Sequence, residues 1–168
     1  MAMADIHYFV QMKVNAQESE LTIKTGRKEA GGCPAGKRKG CIKANQGDEI
    51  KFSFLLAGNT KCSEADDARW KLSEVLLGGK DSGSKPDANG WGGFTNDAEV
   101  TSDFDFADAA TGKLAPTATL GDRQMTFEDR NGYEYDIWYL VKADCVDGEG
   151  TVLKTISVDP RVINKGKL

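Results

Sequence analysis

One histidine, His7, is all the imidazole that this chain of 168 residues carries, and the scarcity removes much chemistry. A Ser-His-Asp or Cys-His mechanism would have to use His7 as its base, and no Gly-x-Ser-x-Gly nucleophile elbow accompanies it. None of the four cysteines (Cys33, Cys41, Cys62 and Cys145) belongs to a Cys-x-x-Cys pair, so zinc-knuckle and thioredoxin-like spacings are absent. Uncharged apolar runs extend only a handful of residues, too few to cross a bilayer as a helix. The opening Met1-Ala2-Met3-Ala4-Asp5-Ile6-His7 lacks a basic stretch followed by an apolar one, so no signal peptide is expected. A cytoplasmic location is the default expectation, with export left open. Proline is scarce as well, four residues against 19 glycines, which points to chain reversals built on glycine.

What is present reads as a soluble globular domain. Apolar residues make up 39% and charged residues 29%, and the length suits a single domain over residues 1–168. The net charge of −4 is unevenly spread. Between positions 24 and 43 lie seven bases (Lys24, Arg27, Lys28, Lys37, Arg38, Lys39 and Lys43) against Glu29 alone, so that segment carries six net positive charges and the remainder ten negative ones. The acidic remainder argues against general nucleic-acid affinity, because phosphate binding needs a cationic surface. The segment itself could grip an anion, with Arg38 suited to bidentate contact and Arg27, Lys28, Lys37 and Lys39 as further charges. An even cysteine count allows two disulfides in three connectivities, or four free thiols, and Cys33–Cys41 is the candidate pair closing a short loop.

Alternation with period two recurs along the chain. Ile6, Tyr8, Val10, Met12 and Val14 alternate with His7, Gln11 and Lys13, and Ile50, Phe52, Phe54 and Leu56 with Lys51 and Ser53. Val100, Phe104 and Phe106 alternate with Thr101, Asp103 and Asp105, and Val152, Ile156 and Val158 do the same near the end. Shorter candidates lie at 21–24 and 41–44. Asn131-Gly132, a pair that readily takes positive φ, separates a run at 124–128 from one at 133–141 and predicts a type I′ hairpin. The second of these runs is apolar on both faces, as a central strand should be. Together these runs predict an all-β fold, an antiparallel two-sheet β-sandwich. One stretch is ambiguous. Ala65, Ala68, Leu72, Val75 and Leu76 make a helical stripe with Ser63 and Asp66 as a capping box, so one short helix near residues 63–77 competes with a strand.

The chain closes on Ile156-Ser157-Val158-Asp159-Pro160-Arg161-Val162-Ile163-Asn164, and Gly47-Asp48-Glu49-Ile50-Lys51-Phe52 opens an earlier strand. These segments resemble a loose group of uncharacterised bacterial proteins with cupredoxin-like β-sandwiches. The resemblance implies a cupredoxin-like or Ig-like sandwich in which residues 70–77 are a strand. It raises copper, but a blue-copper site needs two imidazoles, a thiolate and usually a methionine. With His7 alone, and neither histidine nor methionine after Cys145, no cofactor is expected.

Three further patterns carry less. Gly31-Gly32-Cys33-Pro34-Ala35-Gly36-Lys37 matches seven positions of a P-loop, but Arg38 stands where Ser or Thr must meet magnesium. Asp103, Asp105 and Asp108 suggest calcium, yet an EF-hand loop would need glycine where Asp108 sits; Asp144, Asp147 and Glu149 form a second acidic turn. Trp91, set among glycines, either pins its loop to the core or offers a contact aromatic. The expectation for function is a non-enzymatic binding module that uses its loops to contact a protein or an anionic surface. A self-associating structural or storage-like protein is the alternative, and a carboxylate-dependent enzyme ranks third.

Overall fold

The computed structural model describes residues 6–14, 19–25, 41–57, 61–63, 67–80, 97–158 and 161–166. Among the described residues, twelve strands form two open sheets that face each other as a sandwich, with one short helix beside them. The first sheet has the order β2-β1-β4-β9-β8, built from β1 (Ile6–Val14), β2 (Ser19–Thr25), β4 (Ile50–Ala57), β8 (Ala118–Leu120) and β9 (Gln124–Asp129). The second runs β3-β12-β10-β5-β7-β6, from β3 (Ile42–Ala44), β5 (Arg69–Lys80), β6 (Phe106–Asp108), β7 (Lys113–Leu114), β10 (Glu134–Val146) and β12 (Arg161–Lys165). β11 (Val152–Val158) pairs with the far half of β10, beyond β12. Both sheets are mixed, since β1 runs parallel to β4 and β12 parallel to β3, where the sequence predicted antiparallel sheets throughout.

The alternation in β1 and β4 puts Ile6, Tyr8, Val10, Met12, Ile50, Phe52, Phe54 and Leu56 on the inner face, all buried. Tyr135, Ile137, Tyr139, Val141, Ala143 and Cys145 of β10 answer them from the other sheet. Phe52 stacks on Phe127, its direct cross-strand partner, with centroids 5.6 Å apart. A disulfide joins Cys62, ahead of β5, to Cys145 in β10, closing 83 residues of sequence. In the chain-entropy account such a loop is worth roughly 4 kcal/mol. Cys41 is also disulfide-bonded and buried, whereas Cys33 lies outside the described residues. The only helix among the described residues is far too short to cross a membrane.

Two local expectations are overturned, and the ambiguous stretch near residues 63–77 resolves to the strand that the resemblance implied. The helical stripe near residues 63–77 belongs to strand β5 where that stretch is described. Leu72 faces Ala143 and Glu74 faces Lys142, so three residues of β5 from Leu72 to Glu74 span only two of β10. That bulge moves the buried set from Trp70 and Leu72 to Val75 and Leu77, and a strand with a phase jump mimics a helical spacing. A second irregularity between Lys80 and Leu77 absorbs Gly78, read from sequence as lying past a helix end.

Conversely, residues expected as a strand around Val100 form helix α1 (Ala98–Asp103). Asp97 caps it, its Oδ1 accepting from the Val100 N–H at 3.1 Å, and Glu99 sits favourably in the first turn. Val100 and Phe104, four apart, fit the buried side of one helical turn as well as they fit an alternation.

Asn131-Gly132 does not make a hairpin. β9 is flanked on both edges by β4 and β8, and β10 lies in the other sheet, so the turn carries the chain across the sandwich. Asn131 does take positive φ, 50°, but Gly132 does not, and a type I′ turn needs both.

Candidate functional site

The basic residues nominated from sequence, Arg27, Lys28, Lys37, Arg38 and Lys39, lie outside the described residues, as does Trp91. The structure does describe the strands at either end of the basic segment. It leaves β2, an edge strand of the first sheet, and arrives at β3, an edge strand of the second. The arrival point is well anchored. Cys41, Ile42 and Ala44 are fully buried, and the Lys43 carbonyl accepts from the Tyr8 hydroxyl at 2.8 Å. The segment is therefore attached at its two ends to strands of opposite sheets.

The acidic turns hold their own backbone instead of converging on a shared point. Asp105 meets Arg130 at 2.7 Å, and Asp108 accepts from the Ala110 N–H. Asp147 accepts from the Glu149 and Thr151 N–H groups, Asp67 accepts from the Gly148 N–H, and Asp144 accepts from the Thr155 hydroxyl. Asp105 thus spends its charge on an ion pair, and the other carboxylates complete a turn or a contact between neighbouring segments, an ordinary role for Asp in loops.

Sequence reasoning missed a buried polar cluster at one end of the sandwich. Asp103 from α1, Asp129 from β9, Asn131 from the crossover and Asn164 from β12 are each at most 1% exposed, and Tyr135 of β10 is 4% exposed. Asp103 Oδ1 accepts from the Gly132 N–H at 2.6 Å and Oδ2 from the Tyr135 hydroxyl at 2.9 Å. Asp129 Oδ1 accepts from the Asn131 N–H at 2.9 Å and from Asn164 Nδ2 at 3.0 Å. Asn131 Nδ2 donates to the carbonyls of Asn45 and Asp48 at 2.8 and 3.0 Å, and its Oδ1 accepts from the Gly166 N–H at 2.9 Å. Burial raises the carboxyl of Asp103, and it pushes that of Asp129 up to about 8, with the Asp103 charge adding to the effect on Asp129. Tyr135 is raised for the same first reason, burial. Asp129 sits among polar neighbours, Glu128, Arg130 and Asn131, and Asn164 between Ile163 and Lys165, so nothing local said that these residues would be buried or would meet.

Beside this cluster, Glu49, Ile50, Lys51, Glu128, Asp129 and Arg130 line a polar groove of about 140 Å³. On the outer face of the first sheet, His7 Nε2 lies 2.7 Å from Ser53 Oγ, which lies 2.6 Å from Thr126 Oγ1. This looks like a serine–histidine pair, but Ser53 is fully buried. The sequence placed His7 as a solvent-side strand residue; it does sit on the outer face, half-buried and stacked on Phe9 at 4.1 Å. No protein-family model matches the chain, and no curated protein matches it.

Proposed function

We propose that this protein is a non-enzymatic β-sandwich that binds an anionic partner surface through the basic segment between β2 and β3. One observation carries the reading. The chain's single concentration of positive charge falls on the connection between two edge strands, one from each sheet, in a protein that is otherwise acidic. Six net positive charges within twenty residues repel one another, so they add nothing to folding until an anion neutralises them. The non-enzymatic part is supported by the burial of Asp103, Asp129 and Ser53, the groups best arranged for chemistry.

Heparin-agarose and vesicles containing an anionic phospholipid test the reading. Retention is expected at low salt, with a steep fall towards physiological salt, where exposed charges are screened over about 8 Å. Changing Lys37, Arg38 and Lys39 together to serine should abolish retention and leave the melting temperature nearly unchanged. Equal retention by the triple variant removes the segment from consideration.

A second reading, self-association, rests on β11. That strand pairs with β10 alone among the described strands, and Val152 and Leu153 on it are 53% and 47% exposed. An edge strand with exposed aliphatic side chains is a template for pairing with another chain. Light scattering coupled to size exclusion tests it: a mass that grows with concentration in the wild type, and does not grow when Leu153 is changed to lysine, supports self-association. A concentration-independent monomer excludes it.

A further inference from the structure

Asp103 and Asp129 share one buried cluster, but their oxygens are satisfied differently. Each oxygen of Asp103 accepts a donor, from the Gly132 N–H and the Tyr135 hydroxyl. Asp129 Oδ1 accepts two, whereas Asp129 Oδ2 has no hydrogen-bond partner. Asn164 spends Nδ2 on Asp129 Oδ1, and its own Oδ1 likewise has no partner. Two acceptors are left over on two buried side chains that already bond to each other. One hydrogen resolves both deficits, because a carboxylic acid and a primary amide pair through N–H···O and O–H···O together. Leaving both oxygens bare would incur the desolvation penalty of each.

We propose that Asp129 is held as the neutral acid at neutral pH, its Oδ2–H donating to Asn164 Oδ1. The acid–amide pair so formed is a pH-sensitive clasp between the two sheets. Asp129 ends β9 of the first sheet and Asn164 lies in β12 of the second, so the pair bridges the sandwich. The proton belongs on Asp129 and not on Asp103 because only Asp129 has an oxygen without a donor. A divalent cation in the same place would want about six oxygens, and only two here are unused.

The surroundings agree. Asp103 faces Asp129 from α1 and Tyr135 faces it from β10; among the described residues Arg130 is the cation acting on it, and its guanidinium is already turned to Asp105 and the Ser102 carbonyl. Glu49 and Lys51 flank the groove on the β4 side, and Glu128 flanks it from β9. Burial and the Asp103 charge both favour the protonated form. The sign follows from proton linkage. The native state binds a proton that the unfolded chain has lost above its ordinary carboxylate value, so the stabilisation is complete below about pH 4. It declines as pH rises and is gone above about 8, where Asp129 ionises in the folded protein.

The test is a carboxyl carbon-13 titration of the full chain, with unfolding measured in parallel at each pH. The Asp129 carboxyl should keep its protonated shift from pH 5 to 7 and move between 7 and 9. Asp129→Asn preserves the pairing with an amide hydrogen in place of the acid hydrogen. The folded-to-unfolded ratio of the wild type should therefore fall by up to tenfold per pH unit relative to that variant between pH 5 and 8. An Asp129 carboxyl already ionised at pH 7, as a bound water or cation would leave it, overturns the proposal. So does a variant with the same pH slope as the wild type. Should Asp129→Asn fail to fold, the wild-type titration decides alone.

Discussion

Phe54 of β4 and Tyr139 of β10 lie with ring centroids 5.2 Å apart, one side chain from each sheet, and neither is exposed. This contact joins the two inner faces at the centre of the sandwich, where Phe54 also touches Phe52 and Phe127. Replacing Phe54 with alanine leaves a cavity that three rings cannot close without leaving their rotamers. A loss of about 3–5 kcal/mol in urea unfolding is expected. A loss below about 1 kcal/mol would mean that the two sheets do not pack through this residue.

The bond between Cys62 and Cys145 ties the segment before β5 to the far end of β10. Changing both to alanine should lower stability by about 2–5 kcal/mol with the m-value altered, because the unfolded chain is no longer held in a loop. Peptide mapping without reductant should recover the two cysteines in one linked pair. Finding them with free thiols would remove this link from the fold.

Asp97 caps α1 and lies 3.5 Å from Lys80 of β5, whose ammonium also meets Glu99 at 2.7 Å. Its replacement by alanine should cost about 1 kcal/mol, and serine, which can accept the same backbone N–H, should restore most of that. Equal loss in the two variants would assign the effect to the ion pair instead of the cap.

Asn131 combines a positive φ of 50° with a side chain bonded to Asn45, Asp48 and Gly166. Glycine removes only the hydrogen bonds, whereas alanine removes them and also strains the backbone. Both variants should be destabilised, the alanine variant by about 1 kcal/mol more. Chemical denaturation of the two side by side checks the order, and a reversed order would remove the backbone contribution.

The all-β class was legible because the inner faces of β1 and β4 alternate without interruption, and a period of two has one structural reading when it persists over eight or nine residues. The central position of β10 was legible for a related reason, since its run is apolar on both faces. β5 was harder to read because a bulge between Leu72 and Glu74 breaks the period, and a bulge leaves no local mark in the side chains themselves. The candidate basic segment is visible only as composition, since charge is countable without a fold.

Sequence by itself determined which residues want burial and where charge accumulates, because hydration and charge are properties of single side chains. Tertiary structure alone decided which strands pair, that Asn131-Gly132 crosses between sheets, and that Asp103, Asp129 and Asn164 share one buried site. Those residues are up to 61 positions apart in the chain. A hydrogen bond or a displaced proton equilibrium depends on distance and on excluded water, and both arise only once the two sheets have closed on each other.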